Sequence, residues 1–393
     1  MKNKSFILAG FLIIIFFSNI PYVFGIKYYN NNEKSNDAVG SSVPTKIDPS
    51  IRLLADKAGI LIGVRAFLRN DSQKTIVERE FNTATRTCYP NEINRNPGQH
   101  DIQNFNEGVN WLYGLGMKPM HHMLFGPSQY EASWVRDITS VSVLDSLMKD
   151  RIKSIMESND NASKINVWNV VNEALSWNKD EIGKYFTADK LVWIRMGYED
   201  DKSGLTGEAK INDEHPVFIR KAFEYASKYA KGKLELRDNG CEKPGKKALA
   251  FYQLVKHLQN SGVKIDGVGF QCHYSIEGEG SMNPQGLAEE ISKFRKAGVE
   301  VYLTEVDFGS GKEPWTVELA EKQKQEYKKI MTIALEEGVS QVHFWGLRDA
   351  DENWRRDENP LLFDKDLAPK PAYYGVKEAL TEYLDKHKDP TVR

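Results

Sequence analysis

Eight apolar or β-branched runs recur along this sequence, about forty residues apart, and that rhythm limits the fold more than any other feature. They cover 60–67, 80–85, 117–125, 165–171, 234–236, 265–272, 299–306 and 339–345, the second being the weakest. Between them lie longer charged segments whose apolar residues return with helical spacing. The clearest, 137–156, 216–231, 246–261, 284–297, 316–337 and 371–385, predict helices. In the second of these, Phe218, Ala222, Tyr225, Ala226 and Tyr229 share one face, and Ala297-Gly298 stops another just before an apolar run. Strand–helix alternation builds a parallel sheet. Eight such units predict an α/β fold of the (β/α)8 TIM barrel type rather than an open doubly wound sheet. No G-x-G-x-x-G follows an early run, which removes the main support for a dinucleotide fold. One barrel domain is expected over 48–386, with a short tail at 387–393.

The first residues are expected to lie outside that domain. Lys2 and Lys4 precede an almost wholly apolar stretch, 6–20, and Pro21 follows. This is the layout of a secretory signal peptide, expected over 1–25 and implying a secreted protein, and it is shorter than the roughly 18 residues of a spanning helix. The Asn- and Ser-rich segment 26–47 reads as a polar lead-in. The chain carries 53 Lys and Arg against 55 Asp and Glu, so it lacks the basic excess of a dedicated nucleic-acid binder. Three cysteines, Cys88, Cys241 and Cys272, exclude a disulfide scaffold and allow one bridge at most. Asn70-Asp71-Ser72 and Asn161-Ala162-Ser163 fit the glycosylation sequon.

In a barrel of this kind, functional groups gather where the strands end. Reading those ends gives His121-His122, Asn172-Glu173, Gln271-Cys272-His273, Glu305-Val306-Asp307 and Trp345, each polar or aromatic directly after an apolar run. Glu173 and Glu305 lie 132 positions apart, on different strands. A pair of carboxylates flanking one bond is what glycoside cleavage requires: one protonates the leaving oxygen and the other attacks the anomeric carbon. The 8 Trp and 17 Tyr suit stacking on sugar faces, as they also suit a core. A zinc set made of His121, His273 and Glu305 has poor support, because no histidine pair shares a helix face, so no metal and no cofactor is expected. Taken singly, a Glu after a strand more often holds a salt bridge than does chemistry; the common placement at strand ends is what distinguishes these residues.

The words themselves are also familiar. Trp168-Asn169-Val170-Val171-Asn172-Glu173-Ala174 resembles the W-D-V-V-N-E-A motif of glycoside hydrolase family 10, the endo-β-1,4-xylanase family. Thr304-Glu305-Val306-Asp307 resembles its T-E-L-D motif, Gly269-Phe270-Gln271-Cys272-His273 its G-x-Q-x-H strand, and Trp345-Gly346-Leu347-Arg348-Asp349 with Trp354 its W-G-x-x-D…W loop. Residues 361–373 are similar to its C-terminal signature. The resemblance implies hydrolysis of internal β-1,4 bonds of xylan-type plant cell-wall polysaccharide with retained configuration. Glu173 would be the general acid/base and Glu305 the nucleophile. Asn172 would bond the hydroxyl beside the reacting carbon, and His273 with Asp307 would orient the nucleophile. His121 and Gln271 would line the glycone subsite, with Trp345 and Trp354 as its aromatic wall.

The departures lie around those residues. The family's E-N-x-M-K-W is absent, and Arg86, Cys88 and Tyr89 stand in that stretch. Its R-G-H-T-L-V-W-H corresponds to 119–126, with Phe125 for Trp and Gly126 for the second His, which implies a roomier glycone subsite. Asn169 replaces Asp, and Arg237-Asp238-Asn239 replaces N-D-Y. Two alternatives to a xylanase follow: the same chemistry on another or a decorated β-glycan, or a glycan-binding protein on a hydrolase scaffold.

Overall fold

A computed structural model of the chain describes residues 48–66, 70–178, 186, 191–311, 314–351 and 354–387. The expected signal peptide, the lead-in and residues 388–393 of the tail lie outside the described residues.

All eight runs become strands: β1 (Leu61–Arg65), β2 (Thr83–Thr87), β3 (Met120–His122), β4 (Val167–Asn172), β5 (Lys233–Asp238), β6 (Gly267–Phe270), β7 (Glu300–Gly309) and β8 (Gln341–Phe344). Each pairs in parallel with the next. The first pairs with the last through Leu61–Gln341 and Val64–Phe344, so the sheet closes into a (β/α)8 barrel with no free edge. The six expected helices form as Val141–Glu157, Val217–Ala226, Lys246–Asn260, Pro284–Lys296, Val317–Glu336 and Pro371–Lys386. Ile51–Ala58, Asp71–Glu80 and Gln103–Gly114 add three longer helices, besides short four-residue ones, that the spacing did not single out. Asp71–Glu80 is mostly polar, and what starts it is a cap: the Asn70 side chain accepts from the Gln73 N–H. Glu80 therefore ends a helix rather than opening a strand, and β2 begins three residues later.

Strand parity divides the barrel wall into two environments. Side chains facing outward meet the helices, as where Phe270 of β6 packs on Phe251 and Phe294. Those facing inward are largely polar and bonded to one another: Thr85 Oγ1 lies 2.9 Å from His343 Nδ1, and Arg237 is clamped by Glu235. The three cysteines are all buried free thiols. Asn161 is wholly buried, its amide donating to Asn106 Oδ1 and the Ile155 carbonyl, so the second sequon does not present its asparagine at the surface.

Candidate active site

At the carboxyl ends of the strands the barrel opens into a cleft of 750 Å³, and Asn172, Glu173, Gln271, His273, Glu305, Trp345 and Trp354 all line it. Glu173 follows the last residue of β4 with φ 54°, a left-handed backbone unusual for a residue with a Cβ. Its N–H is held by the Arg237 carbonyl at 2.9 Å. Its carboxyl Oε1 accepts from the Gln271 amide at 2.8 Å, and the same amide reaches Asn172 Oδ1 at 3.4 Å. Burial raises the Glu173 pKa above the usual carboxylate range and the Glu305 charge adds to this, while the Gln271 bond opposes it. Desolvation is thus the larger cause, ahead of repulsion by the second carboxylate.

Glu305 sits on β7, 3% exposed, and both its oxygens are occupied. Oε1 accepts from Arg237 Nη1 at 3.1 Å, and Oε2 faces His273 Nε2 at 3.3 Å. The other nitrogen of His273 lies 2.9 Å from Asp307 Oδ2, and Arg355 Nη1 holds the second Asp307 oxygen at 3.1 Å. Burial alone would lower the His273 pKa, but the Asp307 charge and hydrogen bond outweigh it and push it up to about 10. At neutral pH the ring is an imidazolium donating to both carboxylates.

His121 does not line the cleft. Its ring is fully buried in the wall, 5.5 Å edge-on to Phe105 and 4.9 Å from Trp168. The next residue, His122, lines the cleft instead. Strand parity is the reason: a register one residue later carries every side chain to the opposite face. The displacement also leaves the zinc set of His121, His273 and Glu305 unassembled. His122 Nδ1 lies 3.1 Å from Arg237 Nη1, and arginine only donates, so this nitrogen accepts and the ring hydrogen sits on Nε2. Burial and the neighbouring arginine hold the His122 pKa well below its ordinary value. Replacing His122 with Ala should lower kcat/KM by roughly 10- to 100-fold with the fold intact. His121→Ala should instead destabilise by roughly 2–4 kcal/mol, read by thermal unfolding, because it leaves a hole between sheet and helix.

The roomier glycone side is also corrected. A Cβ at Gly126 would stand 2.5 Å from the Met123 sulfur, so methionine already occupies that place. Arg86 turns away from the cleft to the carbonyls of Ala66 and Asn104. Tyr89 remains, stacked on Tyr130 at 4.9 Å, with its phenol oxygen accepting from Arg65 Nη2 at 3.2 Å. The Arg65 guanidinium lies 4.7 Å over the Trp345 ring. This side is walled by Arg65, Tyr89 and Tyr130, with different contacts rather than fewer. Trp345 is 6% exposed and Trp354 is 71% exposed, its ring edge-on to His273 at 5.6 Å. Trp177 also lines the cleft, exposed and lying against Gly240, where a Cβ would fall 1.9 Å from the indole.

Arg65, Tyr130, Trp177 and Arg237 escaped the reading of strand ends, and His122 was among those ends but was given no role. Arg237 carried a usable signal, being a charged residue just beyond the short apolar run 234–236, with Glu235 two positions before it.

Residues 50–379 match the sequence profile of Glycosyl hydrolase family 10. Endo-1,4-beta-xylanase B of Thermotoga neapolitana is 26% identical over 360 residues, covering 86% of this chain and 93% of that protein. Beta-1,4-xylanase of Dictyoglomus thermophilum is 30% identical over 324 residues, or 77% and 83% of the two chains. The chain spans 25% of the longer Endo-1,4-beta-xylanase A of Thermoanaerobacterium saccharolyticum. The crystal structure of native xylanase 10B from Thermotoga maritima superposes with a TM-score of 0.72 at 25% identity, covering 86% of this chain and all of that one. A closed barrel with two carboxylates at its mouth and a profile match over most of its length places this chain in glycosyl hydrolase family 10.

Proposed function

We propose that the protein is an endo-β-1,4-xylanase that cuts internal bonds of xylan-type polysaccharide with retention of anomeric configuration. One observation carries the reading: two carboxyl groups share a cleft in opposite settings. Glu173 is pushed toward its neutral form by burial, and Glu305 is bonded to the guanidinium of Arg237. In the first step a Glu305 oxygen bonds to the anomeric carbon. The bond to the leaving sugar breaks, and the Glu173 proton goes to the departing oxygen. Glu305 is then an uncharged ester, repulsion on Glu173 falls, and Glu173 takes a proton from the water that attacks the same carbon. By the family resemblance, Asn172 and Gln271 would bond hydroxyls of the reacting sugar, and Trp345 would form part of the aromatic wall beside it; all three line the cleft. The relatives named above are xylanases, and xylanase 10B of Thermotoga petrophila was solved in complex with xylobiose. The charged-then-apolar N-terminus supports export toward such a polymer.

The test is product analysis on a panel of plant β-glycans, with the anomer of the first-formed sugar followed by NMR. Internal cleavage of xylan with β-product is expected. Inverted product would refute the double displacement, and binding without turnover would favour a glycan-binding role. The exchange of the E-N-x-M-K-W residues for a wall of Arg65, Tyr89 and Tyr130 supports a second reading, the same chemistry on another or a decorated β-glycan. A higher kcat/KM on substituted than on linear xylo-oligosaccharides of equal backbone length would support it.

A further inference from the structure

We infer that Arg237 makes Glu305 a good leaving group in the second half of the reaction, so that the glycosyl-enzyme drains rather than accumulates. This rests on the double-displacement reading above and extends it to how the two steps are balanced. Arg237 is wholly buried inside the barrel. Two of its nitrogens grip Glu235 at 2.8 and 3.0 Å, and the third reaches Glu305 Oε1 at 3.1 Å. The neighbouring strand makes room for this pair, since a Cβ at Gly269 would fall 1.9 Å from Glu235 Oε1.

Glu235 supplies a counter-charge that offsets part of the guanidinium's field, but it grips Nε and Nη2 and leaves Nη1 to Glu305. His273 holds the second oxygen with Asp307 behind it, and His122 Nδ1 is 3.9 Å away and uncharged. Glu173 and the Tyr89 phenol also line the cleft. In the free enzyme the guanidinium faces a carboxylate, and in the covalent intermediate it faces a neutral ester. A buried cation therefore favours the carboxylate on both sides of the intermediate. It works against bond formation in the first step and with bond breaking in the second. In that second step the water oxygen bonds to the anomeric carbon, its proton passes to Glu173, and the electron pair of the breaking ester bond returns to Glu305 beside Arg237.

The experiment compares the wild type with Glu235→Gln/Arg237→Met, which removes the cation without stranding a buried carboxylate. The substrate is 2,4-dinitrophenyl β-xylobioside. Product release is followed by stopped flow, and adduct on the protein by mass spectrometry after an acid quench. The double variant is expected to hold a larger share of enzyme as adduct and to release it on the order of tenfold more slowly. An equal adduct share and release rate in the folded variant would overturn the role of Arg237 and leave the covalent mechanism standing. Turnover without adduct in any form of the enzyme would overturn both. Should the double variant fail to fold, Arg237→Lys decides: its shorter ammonium keeps a charge beside Glu235 but withdraws from Glu305. Slower release then supports the inference and unchanged release overturns it.

Discussion

Glu305→Ala should abolish turnover, by on the order of 10⁵-fold in kcat, because no other group can form the covalent bond to the anomeric carbon. The vacated space lies between Arg237 Nη1 and His273 Nε2, which hold Glu305 at 3.1 and 3.3 Å. Two cationic donors facing an empty place suit a small anion. Added azide should therefore restore part of the cleavage of an activated aryl glycoside, and the product should be the glycosyl azide of inverted configuration. Recovery of a hydrolysed sugar instead, with no azide adduct, would mean that Glu305 does not attack.

Glu173→Ala should lose roughly 10²- to 10⁴-fold on polymer, whose alkoxide leaving groups need a proton, and far less on dinitrophenyl glycosides, which need little. Contrasting responses of the two variants to leaving-group acidity separate donor from nucleophile; parallel responses would refute the assignment. The wild-type rate requires Glu305 ionised and Glu173 protonated, so activity falls at alkaline pH as Glu173 loses its proton. Burial places that fall above the usual carboxylate range. The Gln271 amide donates to the charged form of Glu173 and pulls the other way. Its removal in Gln271→Leu should move the alkaline limb upward, as measured in a kcat profile.

What the chain disclosed in advance followed from how parallel strands are buried. Covered on both faces, most of them read as apolar runs whatever their parity, so their number and order were legible. β2 was faint because Thr83 and Thr85 face the barrel interior, where their hydroxyls bond to the Lys118 carbonyl and to His343. Parity was harder to read. A three-residue strand such as Met120–His122 carries no alternation of its own. Its facing is set by pairing with Thr85–Thr87 and Met120–Val167, which are long-range contacts, and so His121 was placed where His122 stands. The carboxylates were legible because each closes a distinctive apolar run. Arg237 showed only as a charge at a strand end, because its role exists only once β5 and β7 stand on either side of β6 in the closed barrel. The glycone wall was illegible for a similar reason: Arg65, Tyr89 and Tyr130 come from three separate segments and meet only in the closed barrel.

The backbone at Glu173 bears on how such a chain is maintained. A carboxyl group set in a left-handed turn and withdrawn from water costs folding stability twice over, by conformation and by desolvation. Glycine would relieve both. A chain under pressure to fold, and under no other, would drift toward that substitution, so Glu173→Gly should be an inactive protein with a higher melting temperature than its parent. Position 173 is then a place where durability and turnover compete, and engineering for heat resistance guided by melting temperature alone would select against the catalyst there.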